Sequence, residues 1–245
     1  MSKKNAIFGI RAVIEAVNSG KSIDKVLVKQ GLTGDLYKEL TTLLKMHNIT
    51  IQKVPVEKID RLTKISHQGV AAFVSPIDFV NYEKLTKELL EKGKTPFYLV
   101  LDGITDIRNF GGIARTAECA GVDAIIIPEK GSAAVNADAI KTSAGALFRI
   151  PVCRVPKMWY VMKFLKSNDF SIVGAFEKSE TDYRKPNYAN KPVALVLGSE
   201  DKGISSQVAK MVDNMVSIPV KSDIGSLNVS VAAGLLIYEI ANQRE

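Results

Sequence analysis

The sequence has few of the residues that bind transition metals. Its 245 residues include two cysteines, Cys119 and Cys153, and two histidines, His47 and His67. The cysteines have neither a metal-ligand nor a redox spacing, so we expect no metal site. We predict that both cysteines lie in core segments. This cysteine usage fits a reducing cytoplasm best.

A long hydrophobic run is also missing. The most apolar stretch, Leu227 to Ile240, is interrupted by Asn228, Ser230, Tyr238 and Glu239, and residues 1–5 have no signal-peptide core. We therefore expect no membrane span. No Gly-x-Gly-x-x-Gly motif follows the first strand of the second half. Its absence disfavours a nicotinamide-dependent enzyme, which the alternation of strands and helices would otherwise suit.

Positive charge is concentrated in the N-terminal part of the chain. Residues 1–95 contain 16 Lys and Arg against 10 Asp and Glu, whereas residues 96–245 contain 17 against 16. A basic module attracts phosphates independently of nucleotide sequence. A lysine-rich surface that is merely exposed to solvent would give the same count. Charge alone leaves both interpretations open.

Helix-like and strand-like patterns alternate along the chain and predict an α/β fold. We expect a small α/β domain over residues 1–75, a linker over residues 76–95 that contains one helix, and a second domain over residues 96–245. The strands of the second domain are continuous Val, Ile and Leu runs. Such runs are typical of a parallel sheet that is covered on both faces. Predicted helices in this domain include residues 111–120, 204–211 and 227–241.

Three segments place small or polar residues where a strand ends and a helix begins. They run from Asn109 to Ala117, from Leu197 to Gly203, and from Ser217 to Ser230. In α/β sheets, ligands bind outside the carboxyl ends of the strands. The three junctions therefore predict one composite site.

The first and third junctions carry the strongest local signals. We expect Gly111 and Gly112 to start a helix, where their backbone N–H groups would be free for an anion. Arg115 follows one turn later, and its planar fork suits a phosphate, although a lone arginine on a surface helix would look the same. Ser226 stands at the expected N-cap of the helix over residues 227–241. That helix is apolar on nearly every face, so it must be buried or shared with a partner subunit.

In their order and in their amino-acid sequences, the three segments resemble the motifs of the SpoU-type branch of the SPOUT methyltransferases. Enzymes of this branch methylate ribose 2′-hydroxyls in RNA. The segments Phe8 to Val13 and His67 to Val70 resemble the N-terminal domain of the guanosine 2′-O-methyltransferases of large-subunit ribosomal RNA. The resemblance covers nearly the whole chain. It implies a small RNA-binding domain like some ribosomal proteins, a C-terminal SPOUT domain with a trefoil knot, and a homodimer.

The resemblance also implies S-adenosyl-L-methionine as the methyl donor and assigns roles to individual residues. Arg115 would lie closest to the reacting hydroxyl and its phosphate. Because a guanidinium is essentially never deprotonated, we expect it to act as an electrostatic clamp and not as a base. The residues that would organise Arg115 and the ribose are Asn109, Glu200, Ser226 and Asn228. The residues that would contact the donor are Gly198, Ile218 and Leu227, with Gly174 and Ala175 as weaker candidates.

Two alternatives stay open from the sequence. One is the same chemistry on tRNA, and the other is a non-catalytic RNA-binding factor of ribosome assembly that keeps the fold. The N-terminal resemblance favours ribosomal RNA as the partner. The complete set of motif residues favours an enzyme.

Overall fold

The computed structural model describes residues 6–47, 49–221 and 225–244. The chain forms two compact units. The first runs to Asp78 and includes Val135–Ala137, and the second comprises Phe79–Ala134 and the residues from Asp138 onward. No helix within the described ranges is long and apolar enough to cross a membrane.

The N-terminal unit is a four-stranded sheet with helices on both faces. Its strands are β1 (Ala6–Phe8), β2 (Ile23–Lys29), β3 (Thr50–Val54) and β4 (Val70–Val74), and its helices are α1 (Ile10–Asn18), α2 (Asp35–Met46) and α3 (Val56–Asp60). The order is β1-β4-β2-β3, in which β2 and β3 are parallel and β4 is antiparallel to β1 and β2.

Alternation along β2 explains the two cores of this unit. Val26 and Val28 pack in one cluster with Leu40 and Leu44 of α2, whereas Leu27 packs in the other with Ile59 of α3. Successive strand residues point to opposite faces, so one strand supplies both clusters. The predicted α/β organisation is found here, but strand β1 was missed because three residues are too few to show a period.

The C-terminal unit contains six strands, which form one sheet in the order β10-β8-β9-β5-β6-β7. Every neighbouring pair is parallel, as the continuous apolar runs predicted. The strands are β5 (Phe97–Asp102), β6 (Ala124–Pro128), β7 (Val152–Val155), β8 (Ser171–Ala175), β9 (Val193–Gly198) and β10 (Asn214–Val216). The helices are α4 (Tyr82–Glu91), α5 (Ile107–Cys119), α6 (Ala137–Thr142), α7 (Met158–Ser167), α8 (Ser206–Ala209) and α9 (Val229–Asn242).

Helix α4 lies in the segment that the sequence predicted as a linker, and it packs within the C-terminal unit. Its Leu89 joins the core cluster of Tyr98 and Leu165. Tyr82 meets Phe164 of α7 edge to face, with ring centroids 5.2 Å apart. The helix is amphipathic and needs an apolar surface to cover its buried side, so it belongs to the packed structure and not to a free hinge.

The two cysteines differ in environment. Cys153 is buried on β7, and burial raises the pKa of its thiol to about 12. Cys119 is exposed at the end of α5, so the prediction that it lies in the core is wrong. Cys119 is the last residue of α5 and lies on the same exposed side as Arg115. Its predicted burial rested only on the apolar residues that surround it in the sequence. The trefoil knot stays a prediction, because residues 222–224 on its path lie outside the described residues.

Candidate active site

The three predicted junctions meet at the carboxyl edge of the parallel sheet. Strands β5 and β9 are neighbours, and their last residues, Asp102 and Gly198, are paired in register. The backbone N–H of Ser205, beyond the second junction, donates to Asp102 Oδ2 over 2.8 Å. The loop after β9 is thereby fixed to the end of β5.

The first junction differs in detail from its prediction. Helix α5 starts at Ile107 and is capped by Asp106, whose side chain accepts hydrogen bonds from the N–H groups of Arg108 and Asn109. These bonds, that of Asn109 foremost, lower the pKa of the Asp106 carboxyl. The helix therefore begins four residues before Gly111, because a side-chain cap decides where it starts.

Gly111 and Gly112 serve packing and do not offer free N–H groups to an anion. A Cβ on Gly111 would lie 2.1 Å from Thr142 Oγ1 and 2.9 Å from the Thr142 carbonyl carbon. A Cβ on Gly112 would lie 3.6 Å from the Cβ of Ser230, on α9. The glycines let α5 approach its neighbours, so the predicted anion-binding role of these two residues is wrong.

The second junction is a tight loop. Ser199 and Gly203 exchange both backbone hydrogen bonds, over 3.1 and 2.8 Å, and the Ser199 hydroxyl accepts a third from Lys202 N–H. A Cβ on Gly198 would lie 2.0 Å from the Gly203 carbonyl carbon. Only glycine permits the loop to fold back on the strand this closely, and the fold directs Glu200 toward the first and third junctions.

The third junction is capped by Asn228 and not by Ser226. The Asn228 side chain accepts hydrogen bonds from the N–H of Ser230 over 2.9 Å and from its hydroxyl over 2.5 Å. Helix α9 therefore begins at Val229, two residues after the expected start. Serine and asparagine are both good caps, so the sequence could not choose between them.

Glu200 connects all three junctions. Its Oε1 accepts hydrogen bonds from the side-chain amides of Asn109 over 3.2 Å and Asn228 over 2.8 Å, and from Val229 N–H over 3.4 Å. Asn228 Nδ2 also donates to Asn109 Oδ1 over 3.1 Å. Three of the predicted catalytic residues are thus brought into one network, which we call the Glu200 network (Asn109, Glu200 and Asn228).

Arg115 stands apart from this network. It lies on the exposed side of α5, and its side chain makes no hydrogen bond or ion pair with any described residue. The single chain therefore shows no contact between Arg115 and the residues that were expected to organise it. The charged guanidinium of Arg115 therefore has all of its N–H hydrogen-bond donors available to a ligand.

A cleft of about 470 Å³ opens beside the Glu200 network. Its floor is apolar and includes Leu197, Val216 and Leu236, and its rim comes from the polar loops of the second and third junctions. Of the predicted site residues, the cleft is lined by Ala175, Gly198, Glu200, Ile218, Ser226, Leu227 and Asn228. The geometry thus brings together most of the residues that were predicted to contact the methyl donor.

Gly174 does not line the cleft. A Cβ there would lie 2.8 Å from Met215 Sδ and 3.1 Å from Ile204 Cδ1, so this glycine allows close packing behind β8. The sequence missed Glu177, Lys178 and Lys202, which line the rim. Their charge was the only signal in the sequence, and it does not distinguish a rim from any solvent-exposed loop.

The N-terminal unit has an open groove of its own, of about 670 Å³. One wall of the groove is formed by residues of the segment His67 to Val70. Gly69 N–H donates to His67 Nδ1 over 3.0 Å, and His67 Nε2 lies 2.7 Å from Asp60 Oδ1. Gln68 adopts a left-handed backbone with φ of 51° and accepts a hydrogen bond from Ile10 N–H. Exposed Lys29 and Lys64 border the groove. In the described parts of both units, no three His, Cys, Asp or Glu side chains cluster as metal ligands.

Two protein families match the two parts of the chain. The SpoU rRNA Methylase family matches residues 96–238. The chain belongs to this family. A second family, described as RNA 2′-O ribose methyltransferase substrate binding, matches residues 6–80. The chain is accordingly an RNA methyltransferase of the SpoU family, with a substrate-binding domain before the methylase domain.

Individual proteins are similar to different shares of the chain. A protein of Staphylococcus saprophyticus assigned to the TrmH family of tRNA/rRNA methyltransferases is 38% identical over 238 residues, 97% of this chain and 95% of its own. The SpoU methyltransferase AviRb from Streptomyces viridochromogenes, crystallised with the cofactor AdoMet, is 24% identical with a TM-score of 0.61, covering 97% of this chain and 89% of its own. The A. aeolicus TrmH/SpoU tRNA modifying enzyme is 28% identical with a TM-score of 0.56, covering 66% of this chain and 82% of its own.

Proposed function

We propose that this SpoU-family enzyme transfers a methyl group from S-adenosyl-L-methionine to the ribose 2′-hydroxyl of a guanosine in large-subunit ribosomal RNA. The observation that carries the proposal is the Glu200 network, which connects three separate motifs at the mouth of one cleft. A network built only for stability would have no reason to border a cleft of ligand size.

The cleft suits the methyl donor. Its volume of about 470 Å³ lies within the range of small-molecule sites, about 300–1,000 Å³. The apolar floor fits an adenine ring, and backbone groups of the loops after Gly198 and around Ile218 and Leu227 can bind its polar edges. When bound, S-adenosyl-L-methionine supplies a methyl group on a positively charged sulfur. This proposal retains Gly198, Ile218, Leu227 and Ala175 as donor contacts, and it leaves Gly174 out.

Two side chains would act on the acceptor, Glu200 at the rim of the cleft and Arg115 on the exposed side of α5. Glu200 Oε2 takes no hydrogen bond from any described residue, so it can accept one from a ribose hydroxyl. Arg115 would clamp the adjoining phosphate and stabilise the negative charge that develops on the 2′-oxygen. That oxygen would give its proton to water and bond to the methyl carbon as the carbon–sulfur bond breaks, and the sulfur would leave with the bonding electrons. The chain would contribute mainly by positioning the two reactants. In this proposal Asn109 and Asn228 orient Glu200, and Ser226 borders the ribose.

We further propose that the enzyme works as a homodimer through α9. Val231, Leu235 and Tyr238 follow one another at helical spacing on its outer side and are 53, 42 and 47% exposed. A stripe of large apolar side chains on a helix is typical of an interface. Arg115 lies exposed on α5, which packs along α9. A partner subunit on this side would therefore border the acceptor site.

The N-terminal unit would supply affinity for the RNA and the choice of target. Its excess positive charge, its groove bordered by Lys29 and Lys64, and its match to a substrate-binding family all support this role. Two free cysteines, one of them exposed, are consistent with the cytoplasm as the site of action.

A direct assay tests the proposal. Purified enzyme with labelled S-adenosyl-L-methionine is given ribosomal RNA or tRNA from cells that lack the protein. We expect label in large-subunit ribosomal RNA, in nucleotides whose 3′ linkage resists alkali, as 2′-O-methylation requires. Label in tRNA alone would favour the tRNA alternative. Donor binding without transfer to either RNA would favour the non-catalytic assembly factor.

A further inference from the structure

An aromatic pair on α7 lies outside the site described above. Trp159 and Tyr160 stack with ring centroids 3.8 Å apart, and Lys163 Nζ lies 4.7 Å from the centroid of the Trp159 ring. Tyr160 is 52% exposed, and Lys157 and Lys163 are exposed beside it. We call Lys157, Trp159, Tyr160 and Lys163 the aromatic–lysine surface. Large aromatic rings held outside the core point to a ligand that stacks on them.

The charge around this surface is unusually one-sided. Residues 139–168 contain six Lys and Arg and no Asp or Glu. The C-terminal domain as a whole is almost neutral, so its positive charge is gathered on this segment. Lys166 is paired with Asp213, Arg149 is paired with Glu118, and the charge of Arg154 acts on nearby Glu129. Lys157 and Lys163 form no ion pair with a described residue. The surface therefore suits a polyanion.

The topology places the surface at the edge of the sheet where the chemistry occurs. Strand β7 ends at Val155, and α7 begins three residues later at Met158, so Trp159 and Tyr160 lie at the carboxyl edge. In the strand order, β7 is two strands from β5 and three from β9. With about 4.8 Å between strands, the end of β7, where α7 follows, is roughly 10–14 Å along the sheet edge from the ends of β5 and β9. A stacked nucleic-acid strand of about 3.4 Å per nucleotide covers this distance in three or four nucleotides.

We propose that the aromatic–lysine surface binds unpaired nucleotides of the RNA substrate that flank the methylated ribose. A base stacks on the exposed ring of Tyr160 and extends the Tyr160–Trp159 stack, and the ammonium groups of Lys157 and Lys163 contact the neighbouring phosphates. Aromatic stacking combined with lysine contacts is the general mode of binding for single strands. The proposal rests on the proposed function for the identity of the RNA, but its geometry and charge stand independently of the methyl transfer.

The sequence itself provides the probe, because Trp159 is the only tryptophan. The full-length protein is titrated with a single-stranded RNA of about 12 nucleotides, a length within the range of single-strand sites, and with the same strand in a duplex. We expect the single strand to change the Trp159 emission saturably and the duplex to do so only at much higher concentration.

Matched variants separate stacking from charge. Tyr160→Ala should raise the midpoint of the titration by at least about fivefold, because one base–aromatic stack is lost. Tyr160→Phe keeps the aromatic ring and should leave the midpoint unchanged. Lys157→Gln with Lys163→Gln should raise the midpoint and flatten its salt dependence. The control pair, Lys92→Gln with Lys94→Gln, changes two exposed lysines that precede β5 at the opposite edge of the sheet, and it should have no effect.

Three results would overturn the proposal: an emission that RNA does not change, a duplex as effective as the single strand, or equal midpoints for Tyr160→Ala and Tyr160→Phe. Methyl transfer to ribosomal RNA and donor affinity are measured in the same variants. We expect Tyr160→Ala to raise KM for RNA with little change in kcat or donor affinity. A Trp159 response without any methyl transfer would leave the surface in place and count against the proposed function. Methyl transfer with an unchanged KM for RNA in Tyr160→Ala would support the proposed function and count against RNA binding by this surface.

Discussion

The side-chain amide of Asn228 donates a hydrogen bond to the Glu200 carboxylate over 2.8 Å, although 28 residues separate them. The same asparagine caps α9, so one side chain both starts that helix and holds the loop that carries Glu200. The two roles connect the wall of the cleft to the residues that face the acceptor. A change at Glu200 should therefore affect both binding and chemistry.

Glu200→Ala should lower donor affinity and methyl transfer together. The substitution removes the acceptor shared by Asn109, Asn228 and Val229 N–H. Loss of one hydrogen bond to a charged group corresponds to about a tenfold change, which we expect in the donor Kd, with a larger fall in kcat/KM. Calorimetry and a methyl-transfer assay measure the two effects. Glu180→Ala, at an exposed glutamate that does not line the cleft, is the control, and a Glu200→Ala variant that behaves like it would contradict the assigned role.

Gly111→Ala and Gly112→Ala should have opposite effects on stability. At Gly111 a Cβ meets the Thr142 side chain and backbone, and overpacking of this kind costs roughly 1–3 kcal/mol. At Gly112 the nearest atom is 3.6 Å away, so alanine fits and gains up to about 1 kcal/mol of helix propensity. Denaturant unfolding of the two variants measures the difference. Equal stabilities would show that α5 and α6 do not pack as closely as described.

This pair of glycines shows where the sequence was informative and where it was not. Periodicity and composition predicted the parallel sheet, because a strand buried on both faces has a local signature. The sequence also identified Asn109, Glu200 and Asn228 as one group through their motifs. It could not tell that Gly111 is required by Thr142, 31 positions further along the chain, since nothing local records that contact. The Trp159–Tyr160 stack was missed for a similar reason: adjacent aromatic residues in a sequence do not reveal whether their rings are exposed.

Lys29→Gln with Lys64→Gln should weaken RNA binding through the N-terminal groove. Each lysine that contacts a phosphate contributes about 0.7–0.9 to the slope of log affinity against log salt, so the double variant should flatten that slope by about 1.4–1.8. Donor affinity should not change. The control, Lys21→Gln with Lys45→Gln, alters two exposed lysines at the other end of the sheet. An identical salt slope in both double variants would place the RNA elsewhere.

Substitutions on the outer side of α9 should convert a dimer into monomers. Val231→Glu with Leu235→Glu puts charge into the exposed apolar stripe, and its burial without a partner is unfavourable. Light scattering should give twice the 26.7 kDa chain mass for the wild-type protein and the single mass for the variant. Met46→Glu, at an exposed apolar residue of the N-terminal unit, should leave the dimer intact. A wild-type protein that is monomeric at assay concentration would contradict the dimer proposal.

Arg115→Ala should abolish methyl transfer and leave donor affinity within a few-fold. The loss of a transition-state electrostatic contact costs about a hundred- to a thousandfold in rate. Arg115→Lys should recover little, because a point charge does not reproduce the bidentate fork. Arg108→Ala removes another exposed arginine of the same helix and is the matched control, with turnover expected near that of the wild-type enzyme.

The most direct measurement maps 2′-O-methylated nucleotides in ribosomal RNA from cells that lack this protein and carry either the wild-type gene or the Arg115→Ala variant. We predict that one guanosine of the large-subunit RNA loses its methyl group without the protein, regains it with the wild type, and stays unmethylated with Arg115→Ala. A ribosomal RNA methylation pattern that is the same with and without the protein would contradict the proposed substrate. Full methylation restored by Arg115→Ala would contradict the mechanism.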